Sequence, residues 1–234
     1  TTAIIGKWHL KSDPQHFDYF AVLPGQGNYF DPVIHVSEGG EKREIRFDSS
    51  LKGVKSVIDT KGHSSDVLTD LTINWLDKKR DRSKPFFLMH HFKAPHDMFE
   101  YHQRYENYLA DVEIPEPSNL YNQPGPDWGS VATRGENDEL INVIGASLSP
   151  NPHKRNLASY YEEKIKKITG KENPTEKELT YWSHQLYLKE YLRCVKGVDD
   201  NLGRIVEYLK ENDLYDNTIV IYTGDQGMFL GEHD

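Results

Sequence analysis

Short apolar runs alternate with longer amphipathic stretches along this chain. Residues 2–5 have the composition of a strand end, residues 85–92 that of a strand buried on both faces, and residues 218–227 that of a β-branched strand entering a glycine-flanked turn. Residues 188–209 place their apolar side chains on one helical stripe. This alternation predicts an α/β architecture in which helices flank a mainly parallel sheet.

The stretches between these elements have less regular patterns. Repeated Gly and Pro in residues 11–50 indicate turns rather than long regular elements, and residues 110–155 have the composition of a long irregular surface excursion. Ser64 and Ser65 are candidate N-caps of a helix that should end in the charged stretch before Pro85.

Size and composition exclude several classes of protein. A chain of 234 residues is long enough for one sizeable core. Its 28 basic and 37 acidic side chains give a formal net charge of −9, which argues against nucleic acid or an anionic membrane surface as the main partner. No apolar run approaches the roughly 20 residues of a membrane span. Cys194 is the only cysteine, so an intramolecular disulfide is impossible.

Both ends of the chain have the character of interior segments. Residues 1–5 enter a β-type run without an initiator Met or a signal peptide, and the chain stops at Asp234 just after a glycine-rich turn. Domains normally end on an element that ties the terminus down. We therefore expect residues 1–234 to be the central portion of a single larger domain.

Polar clusters follow the predicted strands, and in open α/β sheets ligands bind outside the carboxyl ends of strands. Asp225 and Gln226 offer hard oxygen ligands suited to Ca²⁺ or Mg²⁺, although an ordinary turn also explains this pair and a hard cation needs roughly six oxygens. Lys7 and His9 point to the same side if their segment is extended. They suit an anion such as sulfate or phosphate, or proton transfer, and the alternative is a solvated lysine beside a packed histidine.

Lys93 and His96 repeat this arrangement after the apolar run of residues 85–92. Pro95 restricts the residue before it and stiffens the loop that carries His96. Because neighbouring strand residues point to opposite faces, we interpret His91 as a core residue and leave His90 undecided.

Other reactive side chains do not form a recognisable site. The eleven histidines contain no HExxH or similar pattern, which disfavours zinc. Cys194 falls on the apolar stripe of its helix and is expected to be a buried structural thiol. The sequence contains no G-x-S-x-G elbow, P-loop or Cys-centred motif, so it identifies no nucleophile.

Three motifs nevertheless carry a family resemblance. GKWHL (residues 6–10), FKAPH (residues 92–96) and YTGDQGMFLGEH (residues 222–233), in this order at predicted strand ends, resemble the type I sulfatases of the alkaline phosphatase superfamily. The segments FDYFAVLPGQGNYFDP and VDDNLGRIVEYLKENDLYDNTIVIYTGDQG extend the resemblance over nearly the whole chain. It implies the sulfatase fold and a sulfuric ester hydrolase that cleaves sulfate from a carbohydrate such as a glycosaminoglycan.

The resemblance also implies roles for the polar residues near the predicted strand ends. Lys7 and His9 match the pair that steadies the hydrated formylglycine and helps to expel sulfate from it. His96 matches the histidine that contacts the sulfate ester and protonates the leaving oxygen. Lys93 resembles a lysine of some carbohydrate sulfatases, and His233 matches a position close to the substrate.

Asp225 and Gln226 match the Asp-Asn/Gln pair that holds calcium in this family, which favours Ca²⁺ over Mg²⁺. Three family features are missing from residues 1–234: the Cys- or Ser-x-Pro-x-Arg motif that becomes formylglycine, the paired aspartates that complete the metal site, and a further sulfate-binding lysine. We expect the first two upstream of this segment and the third downstream, so that the segment alone should be inactive.

Two alternatives to a sulfatase remain open at this point. One is a phosphodiesterase or phosphonate hydrolase of the same superfamily, and the other is a non-catalytic carbohydrate-binding descendant that keeps the fold. The expected partner is a sulfated sugar, with no nucleic acid and no membrane span, and the oligomeric state is not predicted. Family members imply a periplasmic, secreted or lysosomal location.

Overall fold

The structure is a computed structural model that describes residues 1–10, 12–44, 53–96, 99–118, 120, 157–227 and 230–231. The chain divides into two compact units. The first comprises Thr1–Glu106 and Arg193–Val220, and the second comprises Asn107–Leu192 and Ile221–Asp234.

The first unit is built on a mixed β-sheet. Its strands are β1 (Thr2–Lys7), β2 (Tyr19–Leu23), β3 (Val33–Val36), β4 (Glu41–Glu44), β5 (Val54–Asp59) and β6 (Phe87–His91). In the described part of the chain their order is β4-β5-β3-β2-β1-β6. β1 is parallel to β2 and to β6, whereas the pairings β2–β3, β3–β5 and β4–β5 are antiparallel. The predicted α/β architecture is confirmed, with a sheet that is mixed rather than mainly parallel.

The described helices are α1 (Ser64–Asn74), α2 (Leu157–Thr169) and α3 (Glu176–Glu211), with short 3₁₀ turns at Gln103–Tyr105 and Tyr215–Asn217. α1 continues into a π-helical turn over Trp75–Lys79. The predicted helix over residues 188–209 lies within α3, and its apolar stripe is buried at Leu188, Val198, Ile205 and Leu209.

The N-cap of α1 differs from the prediction. The His63 ring, rather than a serine hydroxyl, accepts a hydrogen bond of 3.3 Å from the backbone N–H of Ser65. Ser64 and Ser65 are fully buried in the first turn. An imidazole nitrogen with a lone pair can satisfy an orphan N–H as an oxygen does, which sequence preferences for Ser and Thr do not anticipate.

β1 is an interior strand of the sheet, and its side chains lie in the core. Its residues Ala3, Ile4 and Ile5 are completely buried, with β2 on one side and β6 on the other. Gly6, with a φ of +124°, lies close to β6, and a Cβ there would stand 1.8 Å from the carbonyl oxygen of His91. Only glycine therefore allows this pairing just before Lys7.

A polar cluster ties α1 to α3 within the first unit. The Arg104 guanidinium donates to both carboxylate oxygens of Asp66 at 2.9 and 2.5 Å, and Asn201 of α3 donates to the same carboxylate at 2.9 Å. Burial raises the pKa of Asp66, but the hydrogen bonds from Arg104 and Asn201 bring it below its ordinary value. The carboxylate is thus held ionised between two helices.

The second unit has polar contacts of its own. The Tyr161 hydroxyl and the Lys164 ammonium donate to the two carboxylate oxygens of Glu190 at 2.8 and 2.5 Å, which joins α2 to α3. The Gln185 side chain both accepts from and donates to the backbone of Ile114, at 3.0 and 2.7 Å. None of the described helices is long and apolar enough to cross a membrane.

Residues 11–50 were expected to contain turns rather than long regular elements, and their described part contains β2, β3 and β4, which are short strands of four or five residues. Two other sequence expectations about local structure are corrected. Residues 218–227 form no strand, and Ile219 and Ile221 are 89% and 81% exposed. β-branched residues favour an extended backbone, but a strand also needs a neighbour to complete its hydrogen bonds, and the described residues place none there. β6, predicted to be buried on both faces, has an exposed Phe87 followed by half-buried residues.

Candidate active site

The ends of three strands define one rim of the sheet. β1, β2 and β6 run in the same direction, so their carboxyl ends lie at the same edge. The turn after β1 carries His9, the loop after β2 carries Gln26 and Tyr29, and the loop after β6 carries Lys93 and His96. The sequence predicted a ligand site at such a rim, and this topology brings the first and second of its polar clusters to it.

The turn after β1 is tightly wound. Lys7 is the last residue of β1 and is half-buried, and its backbone carbonyl accepts a hydrogen bond of 3.1 Å from Nδ1 of His91. The indole N–H of Trp8 donates to the carbonyl oxygen of Ser12 at 2.7 Å. His9 has a φ of +48°, which is a left-handed backbone conformation, and its side chain is exposed.

The loop after β6 packs on the loop after β2. Lys93 is 7% exposed, and its ammonium donates to the carbonyl oxygen of Gln26 at 3.1 Å while standing 4.7 Å from the centre of the Tyr29 ring. The Tyr29 hydroxyl donates to the backbone carbonyl of His96 at 2.5 Å, and the His96 N–H donates to the carbonyl of Lys93 at 3.0 Å. The His96 side chain is exposed. The backbone of His96 is therefore held while its imidazole faces outward.

The cation of Lys93 is engaged by protein atoms in this structure. Its ammonium contacts the carbonyl oxygen of Gln26 and the face of the Tyr29 ring. The role of Lys93 in substrate binding stays a prediction. A buried ammonium on an aromatic face is a stable arrangement in its own right, since the ring quadrupole attracts the cation.

The two histidines of β6 differ from the expected pattern. His90, which the sequence left undecided, is half-buried: its Nδ1 lies 2.7 Å from the Thr72 hydroxyl, and its Nε2 is covered without a hydrogen-bond partner among the described residues. Burial, and to a lesser extent the charge of His91, lowers the pKa of His90 to about 3. His91, which the sequence predicts to be a core residue, is also half-buried, and its Nδ1 lies against the backbone carbonyl of Lys7.

The predicted metal ligands lie in the second unit. Asp225 and Gln226 are both exposed, so their oxygens are accessible to a cation. Within the described ranges no group of three or more His, Cys, Asp or Glu side chains is arranged to hold a metal ion. A carboxylate and an amide fit the oxygen preference of calcium but supply only part of the roughly six ligands it takes. His233 lies outside the described residues. The predicted meeting of Asp225 with Lys7, His9 and His96 stays a prediction.

Sequence reasoning missed two groups of residues at this rim. Tyr29 belongs to the LPGQGNYF segment, which was noted for its family resemblance but not for a contact with His96. Asp13 and His35 line a small cleft together with Trp8 and His9. No sequence pattern marks Tyr29, Asp13 or His35, because each of them contacts a residue that is distant along the chain. Cys194 is buried, as predicted for a structural thiol.

The whole chain matches one family and several named relatives. A family model described as Sulfatase matches residues 1–234. The N-acetylglucosamine-6-O-sulfatase of Bacteroides thetaiotaomicron is 35% identical over an alignment that covers 99% of this chain and 43% of that protein. An uncharacterized sulfatase of Schizosaccharomyces pombe is 27% identical, over 97% of this chain and 38% of that protein. The chain thus spans less than half the length of these two relatives.

A solved structure is similar to this chain over the same extent. The structure of BT4656 in complex with its substrate, D-glucosamine-2-N,6-O-disulfate, superposes with a TM-score of 0.73 at 32% sequence identity. The superposition covers 99% of this chain and 48% of that chain.

Proposed function

Because this chain belongs to the sulfatase family, we propose that it is the central part of the catalytic domain of a carbohydrate sulfatase. The substrate that we propose is a glucosamine unit with a 6-O-sulfate and an N-acetyl or N-sulfate group. Two comparisons support this choice: a relative named N-acetylglucosamine-6-O-sulfatase and a solved structure in complex with a glucosamine disulfate. A periplasmic, secreted or lysosomal location is part of the same proposal.

The observation that carries this proposal is the shared rim of β1, β2 and β6. A cation and an imidazole follow β1 as Lys7 and His9, and a second such pair follows β6 as Lys93 and His96. Both exposed imidazoles follow strands that run in the same direction. Convergence of cationic and titratable groups at strand ends is what the binding and cleavage of an anionic ester require.

Sulfate ester hydrolysis assigns a separate task to each group. As the S–O bond breaks, negative charge accumulates on the sugar oxygen, and the exposed imidazole of His96 would donate a proton to that oxygen. The ammonium of Lys7 would stabilise the charge on the sulfate oxygens, and His9 would bind the same group.

Two groups supplied from elsewhere would complete this chemistry. Asp225 and Gln226 would contribute a carboxylate and an amide oxygen to a calcium ion, which when bound draws charge from the sulfate oxygens. The attacking hydroxyl would come from a hydrated formylglycine, which we expect outside these 234 residues because they contain no Cys- or Ser-x-Pro-x-Arg motif. The residues present fit both groups without completing either site.

The activity is tested on the full protein that contains this chain, produced together with a formylglycine-generating enzyme. Sulfate release is measured from N-acetylglucosamine 6-sulfate and from glucosamine 2-N,6-O-disulfate, beside an aryl phosphodiester as the competing substrate. His96→Ala should lower the turnover of the sulfate ester by about 100-fold or more. His16→Asn, a change at another exposed histidine, is the matched control. Near-normal turnover by His96→Ala, or faster cleavage of the phosphodiester, would contradict the proposal.

The metal assignment is tested separately from turnover. Isothermal titration calorimetry with calcium should show an affinity at least about tenfold weaker in Asp225→Ala, since even residues that only support metal ligands cost about that much. Asp216→Ala is the control, because Asp216 is also an exposed carboxylate shortly upstream. An unchanged calcium affinity in Asp225→Ala would remove Asp225 from the ligand set.

A further inference from the structure

The ring of His35 lies between two oxygen atoms. Its Nδ1 is 2.9 Å from the backbone carbonyl oxygen of Ser56, its Nε2 is 3.2 Å from Oδ1 of Asp13, and the residue is 4% exposed. A carbonyl oxygen only accepts hydrogen bonds, so Nδ1 must carry a proton. An ionised carboxylate also only accepts, so Nε2 must carry a proton too. The geometry requires either a doubly protonated ring or a protonated Asp13.

The contacts of Asp13 decide between these two possibilities. The Lys55 ammonium lies 2.9 and 3.1 Å from the two carboxylate oxygens, so both oxygens accept from a cation. An ammonium that donates to both oxygens of a carboxyl group stabilises the ionised form of that group. The carboxylate is therefore ionised, and the proton between the two side chains belongs to His35.

We infer that His35 is an imidazolium in the folded protein, and that Lys55, Asp13 and His35 form an anchor that positions the turn carrying Lys7 and His9. These three are positioning residues, which act on the turn through its backbone. The inference about the charge of His35 stands on geometry alone, whereas its consequence for turnover rests on the proposed function.

The anchor is connected to the turn through Ser12 and Trp8. Asp13 directly follows Ser12, whose carbonyl oxygen accepts the hydrogen bond from the indole of Trp8. Trp8 stands between Lys7 and His9, so fixing its indole fixes the backbone on both sides. The left-handed conformation of His9 costs about 1 kcal/mol in a residue other than glycine and persists only where the surroundings hold it.

The charges around His35 come from several elements. β5 contributes the Lys55 cation, and the loop after β1 contributes the Asp13 carboxylate and also His9, which lines the same cleft as His35. β2 contributes the uncharged ring of Phe20, whose edge-on contact has a centroid distance of 5.0 Å. With His35 protonated, two cations share one carboxylate, and each holds the carboxylate from a different strand of the sheet.

The charge of His35 is tested by neutron diffraction from deuterium-exchanged crystals of the full protein at neutral pD. We expect deuterium on both ring nitrogens of His35 and none on the carboxylate of Asp13. A single deuterium on the ring, or a deuterium on Asp13, would overturn the assignment. This readout does not depend on enzymatic activity.

The positioning role is tested with Asp13→Asn and His35→Gln, with Asp59→Asn as the matched control. Asp59 forms an exposed ion pair with Arg43 in the same sheet, so its loss should leave turnover unchanged. Misplacement of the turn should lower kcat of the two anchor variants by about tenfold to 100-fold with a smaller change in KM, because Lys7 stabilises charge that develops as the S–O bond breaks. Wild-type kcat in both anchor variants would overturn the positioning role.

Failure of the inference and failure of the proposed function can be told apart. If the wild-type protein releases no sulfate while both nitrogens of His35 carry deuterium, the proposed function fails and the charge assignment stands. A crystal structure of Asp13→Asn then decides the positioning role. A turn displaced from its wild-type position supports the anchor, and an unchanged Trp8–Ser12 hydrogen bond with an unchanged His9 backbone overturns it.

Discussion

The hydroxyl of Tyr29 donates a 2.5 Å hydrogen bond to the backbone carbonyl of His96, although the two residues are 67 positions apart in the chain. The same phenol ring carries the Lys93 ammonium on its face, 4.7 Å from the ring centre. One side chain from the loop after β2 thus contacts both polar residues of the loop after β6. The backbone of the proposed general acid is thus held by the hydroxyl of a tyrosine from another loop.

Tyr29→Phe should therefore impair turnover without unfolding the protein. The variant keeps the ring beneath Lys93 and removes only the hydrogen bond to His96, so the loop gains freedom and the imidazole is less well placed. We expect kcat for the sulfate ester to fall by about tenfold, which corresponds to about 1.4 kcal/mol in the activation free energy. Steady-state kinetics measure this effect, and circular dichroism checks the fold.

The control for this variant is Tyr215→Phe, since the half-exposed ring of Tyr215 lies beside Lys210 on a different part of the first unit. It should have wild-type kinetics. If Tyr29→Phe also has wild-type kcat and KM, the hydrogen bond to His96 has no influence on the chemistry.

Two aspartates of α1 allow a matched comparison of ion pairs. Asp66 accepts from Arg104 and Asn201 with its side chain 21% exposed, whereas Asp70 pairs with Arg204 at a site where the carboxylate is 65% exposed. Asp66→Asn should lower the free energy of unfolding by roughly 1–3 kcal/mol, because it leaves a guanidinium without its charge partner. Asp70→Asn should change it by less than about 0.5 kcal/mol, since exposed pairs contribute little.

Denaturant unfolding measures both changes under the same conditions. The interpretation of the α1–α3 contact would be contradicted if the two variants were destabilised equally. Equal effects would mean that burial of the carboxylate makes no difference to the strength of its pairing.

The sequence predicted those elements whose pattern is local and strong. β1 and β6 follow from dense apolar runs, and the long helix α3 follows from its stripe of apolar residues. β4 has the sequence EKRE and three of its four residues are exposed, so nothing local marks it as a strand. It forms because β5 offers a free edge, and such a non-local partner has no signature in the sequence of β4.

The site shows the same division between local and distant information. Lys7, His9, Lys93 and His96 were identified because they follow strand ends, and the parallel pairing of β1 with β6 explains why that position matters. The contacts that hold these residues could not be predicted. For example, His35 meets Asp13 across 22 positions, and only the folded sheet brings the two together.

Two glycines of α3 should respond differently to alanine. A Cβ on Gly203 would meet no side chain within 4 Å among the described residues, so Gly203→Ala should raise the free energy of unfolding by about 0.5–1 kcal/mol through the higher helix propensity of alanine. A Cβ on Gly197 would stand 3.3 Å from the Tyr105 ring. That ring is 7% exposed and its hydroxyl donates to Asp200 at 2.8 Å, so it has little room to move.

We therefore expect Gly197→Ala to leave the melting temperature unchanged or to lower it. A rise in melting temperature as large as that of Gly203→Ala would show that Tyr105 adjusts freely. In that case Gly197 would not be required for the packing of α3 against the Gln103–Tyr105 turn.

His90 should make the stability of the protein depend on pH in the mildly acidic range. Burial lowers its pKa to about 3 in the folded protein, from an ordinary value near 6.5, so the unfolded chain takes up the proton first as the pH falls. The stabilising contribution is complete above about pH 6.5 and is lost between about pH 6.5 and 3, with a slope of up to about 1.4 kcal/mol per pH unit.

His90→Asn keeps a polar partner for Thr72 and has no proton to gain, so its melting temperature should fall less steeply over this range. His16→Asn should follow the wild-type curve, because water surrounds that exposed side chain in both states. If wild type and His90→Asn lose stability in parallel from pH 6.5 to 3, the buried imidazole is not the group that links folding to protonation.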